Sequence, residues 1–210
     1  MTLNLPQKTS LSYLLKTFLI IGLCGLFLFY KYVLQVYPGV ASDDLIQAFK
    51  LSKENLGFLA AAFYYTYLFT QLSAGIILDR YSPRYFTALA ISFGASGALL
   101  FATAQDLLGA EVARALMGAG AAFATIAYMK LSANWVTPKY YSFVGGFLLT
   151  AAMLGAVFGQ AVLAHFIQKY GWRQSLSYLG FGGFLLAAVF VLIVRDQPDL
   201  KQANTWKTEC

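Results

Sequence analysis

The sequence predicts an all-α, polytopic membrane protein with six transmembrane helices, and three observations predict it. Of its 210 residues 59% are hydrophobic and 11% charged, with a mean hydropathy of +0.63, which is far too apolar for a soluble domain. Six apolar runs long enough to span a bilayer follow one another, separated by short polar links. Lysine and arginine collect in those links without forming a basic run, so the net charge of +6 reads as a set of orientation signals and nucleic acid is not an expected partner.

Residues 1 to 16, with Lys8 and Lys16, form a polar N-terminal segment. The apolar run from about 17 to 37, closed by Pro38-Gly39, is the first helix; no small-x-small cleavage signal follows it, so it is a retained span and not a signal peptide. Residues 40 to 54 are a mixed link ending in Ser52-Lys53-Glu54-Asn55, where Ser52 or Asn55 offers a cap for a second run that continues to Leu78. The third helix runs from about Tyr85 to Ala104, and Gln105-Asp106 opens a very short link to the fourth, from about Leu108 to Leu131. Asn134-Trp135-Val136-Thr137-Pro138-Lys139 is an interfacial loop, the fifth helix covers about 142 to 167, and Lys169-Tyr170-Gly171-Trp172-Arg173 turns the chain into a sixth that ends near Val194. Residues 17–194 are thus the bundle, and the polar residues 195–210 are expected to be the start of a cytoplasmic central loop or a truncated tail.

With six spans both termini share a side, and that side carries nine basic residues: Lys8, Lys16, Arg80, Arg84, Lys130, Lys139, Arg195, Lys201 and Lys207. The other side carries four, Lys50, Lys53, Lys169 and Arg173, so the excess places both termini in the cytoplasm. Lys31 and Arg114 remain, both inside spans. A weak internal repeat aligns Asp79-Arg80-Tyr81-Ser82-Pro83-Arg84 with Gln168-Lys169-Tyr170-Gly171-Trp172-Arg173, matching both basic positions and the tyrosine. Three helices repeated as three reverse in the membrane, which is inverted 3+3 symmetry; the crowding of aromatic and basic residues at membrane interfaces is the competing explanation.

Between the second and third helices lies Gly75-Ile76-Ile77-Leu78-Asp79-Arg80-Tyr81-Ser82-Pro83-Arg84. It resembles the signature loop of the major facilitator superfamily of transporters, roughly Gly-x-x-x-Asp-Arg-x-Gly-x-Arg, with Gly75, Asp79, Arg80 and Arg84 on matching positions. Ser82 departs from the pattern, standing where the family has glycine, so the turn is expected to be built differently. Asp79 at a helix C-terminus and Arg84 at an N-terminus both oppose the macrodipole and need outside partners, which suits a conformational-gate loop. Arg114-Ala-Leu-Met-Gly118-Ala-Gly120 in the fourth helix and the Gly-rich fifth helix followed by Gly171-Trp172-Arg173 extend the resemblance across helices two to six. It implies the N-terminal half of a twelve-helix fold, moving a small solute by alternating access from a plasma (inner) membrane, driven by an ion or substrate gradient as in symport.

Arg114 is expected to face the bundle interior, because an unpaired charge in the membrane costs several kcal/mol. Pairing with Glu111 at i, i+3 is its bland alternative; the family's arginine at this motif position implies a role in substrate or proton coupling. Lys31 either snorkels to the outer surface or lines a cavity. If both cations face the cavity, the absence of an obvious intramembrane carboxylate favours an anionic substrate. Tyr64, Tyr67 and Gln71 share one face of the second helix, suited to a wet cavity or to aromatic packing. Gln160 in the fifth helix is a further substrate-binding candidate, and His165, the single histidine, reads as interfacial. Ala151, Gly155 and Gly159 recur every four residues and allow close helix packing, against an opposite bundle or within this one.

Cys24 and Cys210 have no framework spacing and no metal partners, so neither a disulfide nor a metal site is expected. No catalytic constellation and no cofactor-binding motif occurs, and the chain is not expected to be an enzyme. The expected partners are a small molecule, the lipid bilayer, and a second six-helix half or second copy. The rival reading is a truncated or half-size bundle without transport of its own that acts as an assembly partner.

Overall fold

The computed structural model describes residues 11–197; Lys8, Lys201, Lys207 and Cys210 lie outside them. The helices are α1 (Leu11–Val40), α2 (Ser42–Phe49), α3 (Lys53–Arg80), α4 (Pro83–Thr103), α5 (Leu107–Ala121), α6 (Phe123–Trp135), α7 (Tyr141–Tyr170) and α8 (Trp172–Ile193), with a 3-10 turn at Pro138–Tyr140. Five stretches are long and apolar enough to cross a membrane: Tyr13–Val40, Pro83–Thr103, Leu107–Trp135, Pro138–Tyr170 and Trp172–Ile193. The sixth crossing is α3, whose 28 residues rise about 42 Å. Its threonines, serine, glutamine and tyrosines make it less apolar than the others. All described residues are helix, turn or link, with no strand among them.

Three boundaries differ from expectation. Residues 11–16 belong to α1, because Tyr13 is drawn into the core: its hydroxyl donates to the Trp135 carbonyl (2.8 Å) and the two rings stack at 5.8 Å. Pro38-Gly39 does not close the first helix, which runs through Pro38 to Val40. The link from 40 to 54 contains α2, an amphipathic helix that buries Leu45 and carries Asp43 and Asp44 in its first turn, where they complement the dipole. Ser52 then caps α3 by accepting from the Asn55 amide at 3.1 Å, and Asp106 caps α5 by accepting from Gly109 at 3.1 Å.

The fourth crossing is α5 and α6 together, interrupted at Ala122 just after Gly118-Ala119-Gly120. Gly118 is there for space: a Cβ would stand 2.1 Å from the Phe63 carbonyl oxygen of α3. That closeness lets the Thr66 hydroxyl reach across to the Ala115 carbonyl at 2.8 Å. Gly171 turns α7 into α8 at φ +79°, a conformation that disfavours side chains.

The repeat inferred from the sequence has a physical counterpart. Arg84, at the start of α4, donates from Nε to the Val191 carbonyl at the end of α8 (2.7 Å). Arg173, aligned with it in the repeat, starts α8 and donates from Nη1 to the Ala102 and Ala104 carbonyls at the end of α4 (2.8 and 2.7 Å). The two helices are clasped at both ends by the same device.

Candidate functional site

The central site begins with a proline. Pro38 has no amide hydrogen, so the carbonyl four residues earlier, on Leu34, receives no helical hydrogen bond from it. Arg114 Nη1 takes that oxygen at 2.7 Å. The guanidinium is fully buried, 0% exposed, with its carbon 4.7 Å from the centre of the Phe63 ring and Nη1 3.6 Å from the Met117 sulfur. Nε and Nη2 have no hydrogen-bond partner. Glu111 forms no ion pair with it, the one ion pair among the described residues being that of Lys130 with Asp79. Arg114 therefore faces the interior as expected, and the Glu111 alternative does not form.

Lys31 does not snorkel. It is 5% exposed, one helical turn before Leu34, with its ammonium 3.9 Å from the Tyr32 ring centre and 4.8 Å from that of Tyr67. Faces of aromatic rings attract a cation but leave its hydrogen-bond donors unfilled. Rings from α3 line the space: Phe63 and Tyr67 stack at 6.1 Å, and Tyr64 stands edge-on to Phe63 at 5.6 Å. The Tyr64 hydroxyl accepts from Gln35 Nε2 at 3.2 Å, and Gln35 Oε1 is buried without a partner. Gln71 and Thr125 lie beside the Tyr67 hydroxyl. Lys31, Tyr64, Tyr67, Gln71 and Arg114 are thus brought together, on α1, α3 and α5.

Gln160 is set apart. It lines a separate groove of about 630 Å³ with Val36, Gly39, Val40, Val157, Ala161 and Ala164, to which neither cation contributes. Ala151, Gly155 and Gly159 pack α7 onto α1: Cβ atoms at Gly155 and Gly159 would meet Phe29 at 3.0 Å and Val33 at 2.9 Å. Of the two packing alternatives, the one within the bundle is the one formed. His165 is exposed, and Cys24 is buried in the core.

Leu34, Gln35, Tyr32, Phe63 and Thr125 are site residues that the sequence did not single out. The rings and the threonine carry no signal beyond ordinary span composition, whereas Leu34 and Gln35 do. The signal for Leu34 was Pro38, which looked like a helix end but acts as a device that frees a carbonyl inside the span. Gln35 carried a signal that went unused, an amide one turn after Lys31.

The loop Gly75–Arg84 forms a second polar cluster at one end of the bundle. Tyr81 and Ser82 are extended and Pro83 is the first residue of α4, so a negative φ suffices at Ser82 and glycine is not needed. Asp79 pairs with Lys130 of α6. The Asp196 carboxylate accepts from the Ser82 hydroxyl and, at 2.7 Å, from the Arg84 amide, which supplies the anion that α4's N-terminus lacks in its own first turn. Asn134 Nδ2 and Trp135 Nε1 donate to the Asp196 and Arg195 carbonyls (2.9 and 2.8 Å), tying the end of α6 to the same strap. The charges of Asp79 and Arg84 are therefore met inside this bundle, while Arg80 is exposed and makes no hydrogen bond or ion pair among the described residues. A Cβ at Gly75 would meet nothing within 4 Å.

No group of three metal-ligating side chains occurs among the described residues. The arrangement is two buried cations, Lys31 and Arg114, among aromatic rings, with Nε and Nη2 of Arg114 unfilled. The sequence profile of the Major Facilitator Superfamily matches residues 12–208. Two solved structures of a bacterial homologue of the human lysosomal transporter Spinster, inward-facing and either unoccupied or occupied, superpose with TM-scores of 0.79 and 0.78 at 17% sequence identity. The match covers 87% of this chain and 44% and 45% of theirs, so the chain spans less than half the length of those proteins. Among curated proteins none matches.

Proposed function

The chain belongs to the major facilitator superfamily, a family of membrane transporters and not of enzymes, and from that premise we propose that it forms one six-helix half of a secondary transporter for a small organic anion. The observation that carries the reading is Arg114: a fully buried cation on α5 with two unfilled donor nitrogens, bonded to the Leu34 carbonyl, which lies one helical turn along α1 from a second buried cation, Lys31. No carboxylate among the described residues compensates either one. A bound anion supplies the missing charge, and its charge-assisted hydrogen bonds are worth about 1.5 to 3 kcal/mol each.

Alternating access requires a second bundle rocking against this one about a midplane site. A second six-helix half or a second copy would pack on surface this bundle leaves uncovered, which includes Gly75, where a Cβ would meet nothing within 4 Å, exposed Arg80, and exposed Phe143, Leu149, Met153 and Val157 of α7. In this proposal Gly75, Asp79, Arg80 and Arg84 form the gate loop, both termini are cytoplasmic in an inner membrane, and a gradient drives the cycle by symport. The rival, an assembly partner without transport of its own, uses the same surface and differs by giving no flux.

The test uses a preparation in which a second bundle completes the cavity. Isothermal titration with small organic anions is expected to show Lys31→Ala and Arg114→Ala weakening binding by about tenfold or more, with Lys169→Ala unchanged. Three variants that bind alike, or a ligand that proves neutral, refute the anion reading.

A further inference from the structure

Arg114 is 0% exposed, so the guanidinium that the proposed function assigns to a ligand is sealed. Two walls enclose it. On one side stands α1, whose Leu34 carbonyl holds Nη1; on the other stands α3, whose Phe63 ring lies under the guanidinium carbon at 4.7 Å. The residues that follow these two in sequence, Gln35 and Tyr64, join the walls through a hydrogen bond of 3.2 Å. Tyr64 is 49% exposed and lies close enough to Arg114 to interact with it electrostatically, so it is the outermost group of the cluster. No other side-chain hydrogen bond among the described residues links α1 directly to α3.

We propose that Gln35 and Tyr64 form a hydrogen-bonded cover over Arg114, which must part before an anion reaches the guanidinium. The pair is weak by construction. It is neutral, single and at the exposed rim of the cluster, and Gln35 Oε1 stays buried and unfilled while it is closed. Opening releases the Tyr64 hydroxyl and both ends of the Gln35 amide to bond elsewhere, and exposes Nε and Nη2 of Arg114, which have nothing to lose. Gln35 and Tyr64 thus set access to the site, and Lys31 stands beside the opening. The inference rests on the anion reading only for what arrives at Arg114, not for the existence of the cover.

Phenylglyoxal labelling of the full chain in detergent, read at each arginine by peptide mass spectrometry, tests this without knowledge of the substrate. In the unchanged chain Arg80 labels readily and Arg114 slowly. Tyr64→Phe, which removes only the hydroxyl, and Gln35→Met each raise the Arg114 rate about fivefold, the population change that follows loss of one ordinary hydrogen bond. The double variant gains no more than either single one, because both remove the same bond. Arg173 labelling in the same samples stays constant, which separates opening of the cover from unfolding. Arg114 labelling as fast as Arg80 in the unchanged chain, or no rise in either variant, overturns the proposal. Benzoate added to the same reactions tests the other reading separately: if it fails to slow Arg114 labelling while the variants still raise it, the cover stands and the anion site falls.

Discussion

Arg84 and Arg173, at opposite ends of the bundle, can be set beside Arg114 in its middle. The first two donate to carbonyls in the last turns of α8 and α4, oxygens that no helical amide uses, and each cation meets the negative end of a helix dipole. Arg114 also takes a carbonyl freed from helical bonding, that of Leu34 below Pro38, but it takes one alone and leaves Nε and Nη2 empty. An arginine whose donors are filled by helix ends is a clasp that holds the fold together. An arginine buried with empty donors burdens the fold, and its use must lie in something that fills them.

The strongest way to break this distinction is to disturb the crossing that holds Arg114 against Phe63. Gly118→Ala places a Cβ 2.1 Å from a backbone oxygen, which cannot rotate away. Thermal unfolding in detergent should show a loss towards the top of the overpacking range of about 1–3 kcal/mol, and Arg114 should become accessible as α3 shifts. Gly75→Ala, where nothing stands within 4 Å, should cost no stability. A smaller effect is expected from Asp196→Ala, which removes the carboxylate from the start of α4 and should cost about 1 kcal/mol, as loss of a helix cap does; it should leave Arg114 labelling unchanged, because the two clusters share no residue. The smallest stability change belongs to Lys130→Ala. Its partner Asp79 has a side chain 68% exposed, so less than about 1 kcal/mol is at stake. If the gate reading holds, cysteine accessibility at the loop should nevertheless change, and an unaltered accessibility would reduce the pair to a surface contact.

The sequence carried the spans, the loop and the interior direction of Arg114, because these depend on apolar run length, a spaced motif and the cost of an exposed charge in lipid. It carried the kinship of Arg84 and Arg173 as well, though not what they grip. What it left open were choices between partners of equal chemistry. Ala151, Gly155 and Gly159 suit any close helix, and only the relative placement of α7 and α1 selects Phe29 and Val33 as their neighbours. Lys31 has a stem long enough to snorkel or to stay, and the rings of Tyr32 and Tyr67 decide it. Gln160 resembled Gln71 in composition and setting but faces a different groove. Pro38 misled most, since a proline near the end of an apolar run usually marks a boundary, and here its missing amide serves the interior.

The central claim, that Arg114 burdens the bundle while Arg173 supports it, is tested most directly by comparing Arg114→Met with Arg173→Met in thermal unfolding of the detergent-solubilised chain. Arg173→Met loses two charged hydrogen bonds at a partly exposed site and should lower stability by about 1–3 kcal/mol. Arg114→Met removes a buried, incompletely bonded cation but leaves the Leu34 carbonyl without its donor, a cost of about 1–3 kcal/mol that relief of the buried charge offsets, so stability should change little or rise. A fall for Arg114→Met as large as that for Arg173→Met would contradict the account, because Arg114 would then be one more clasp.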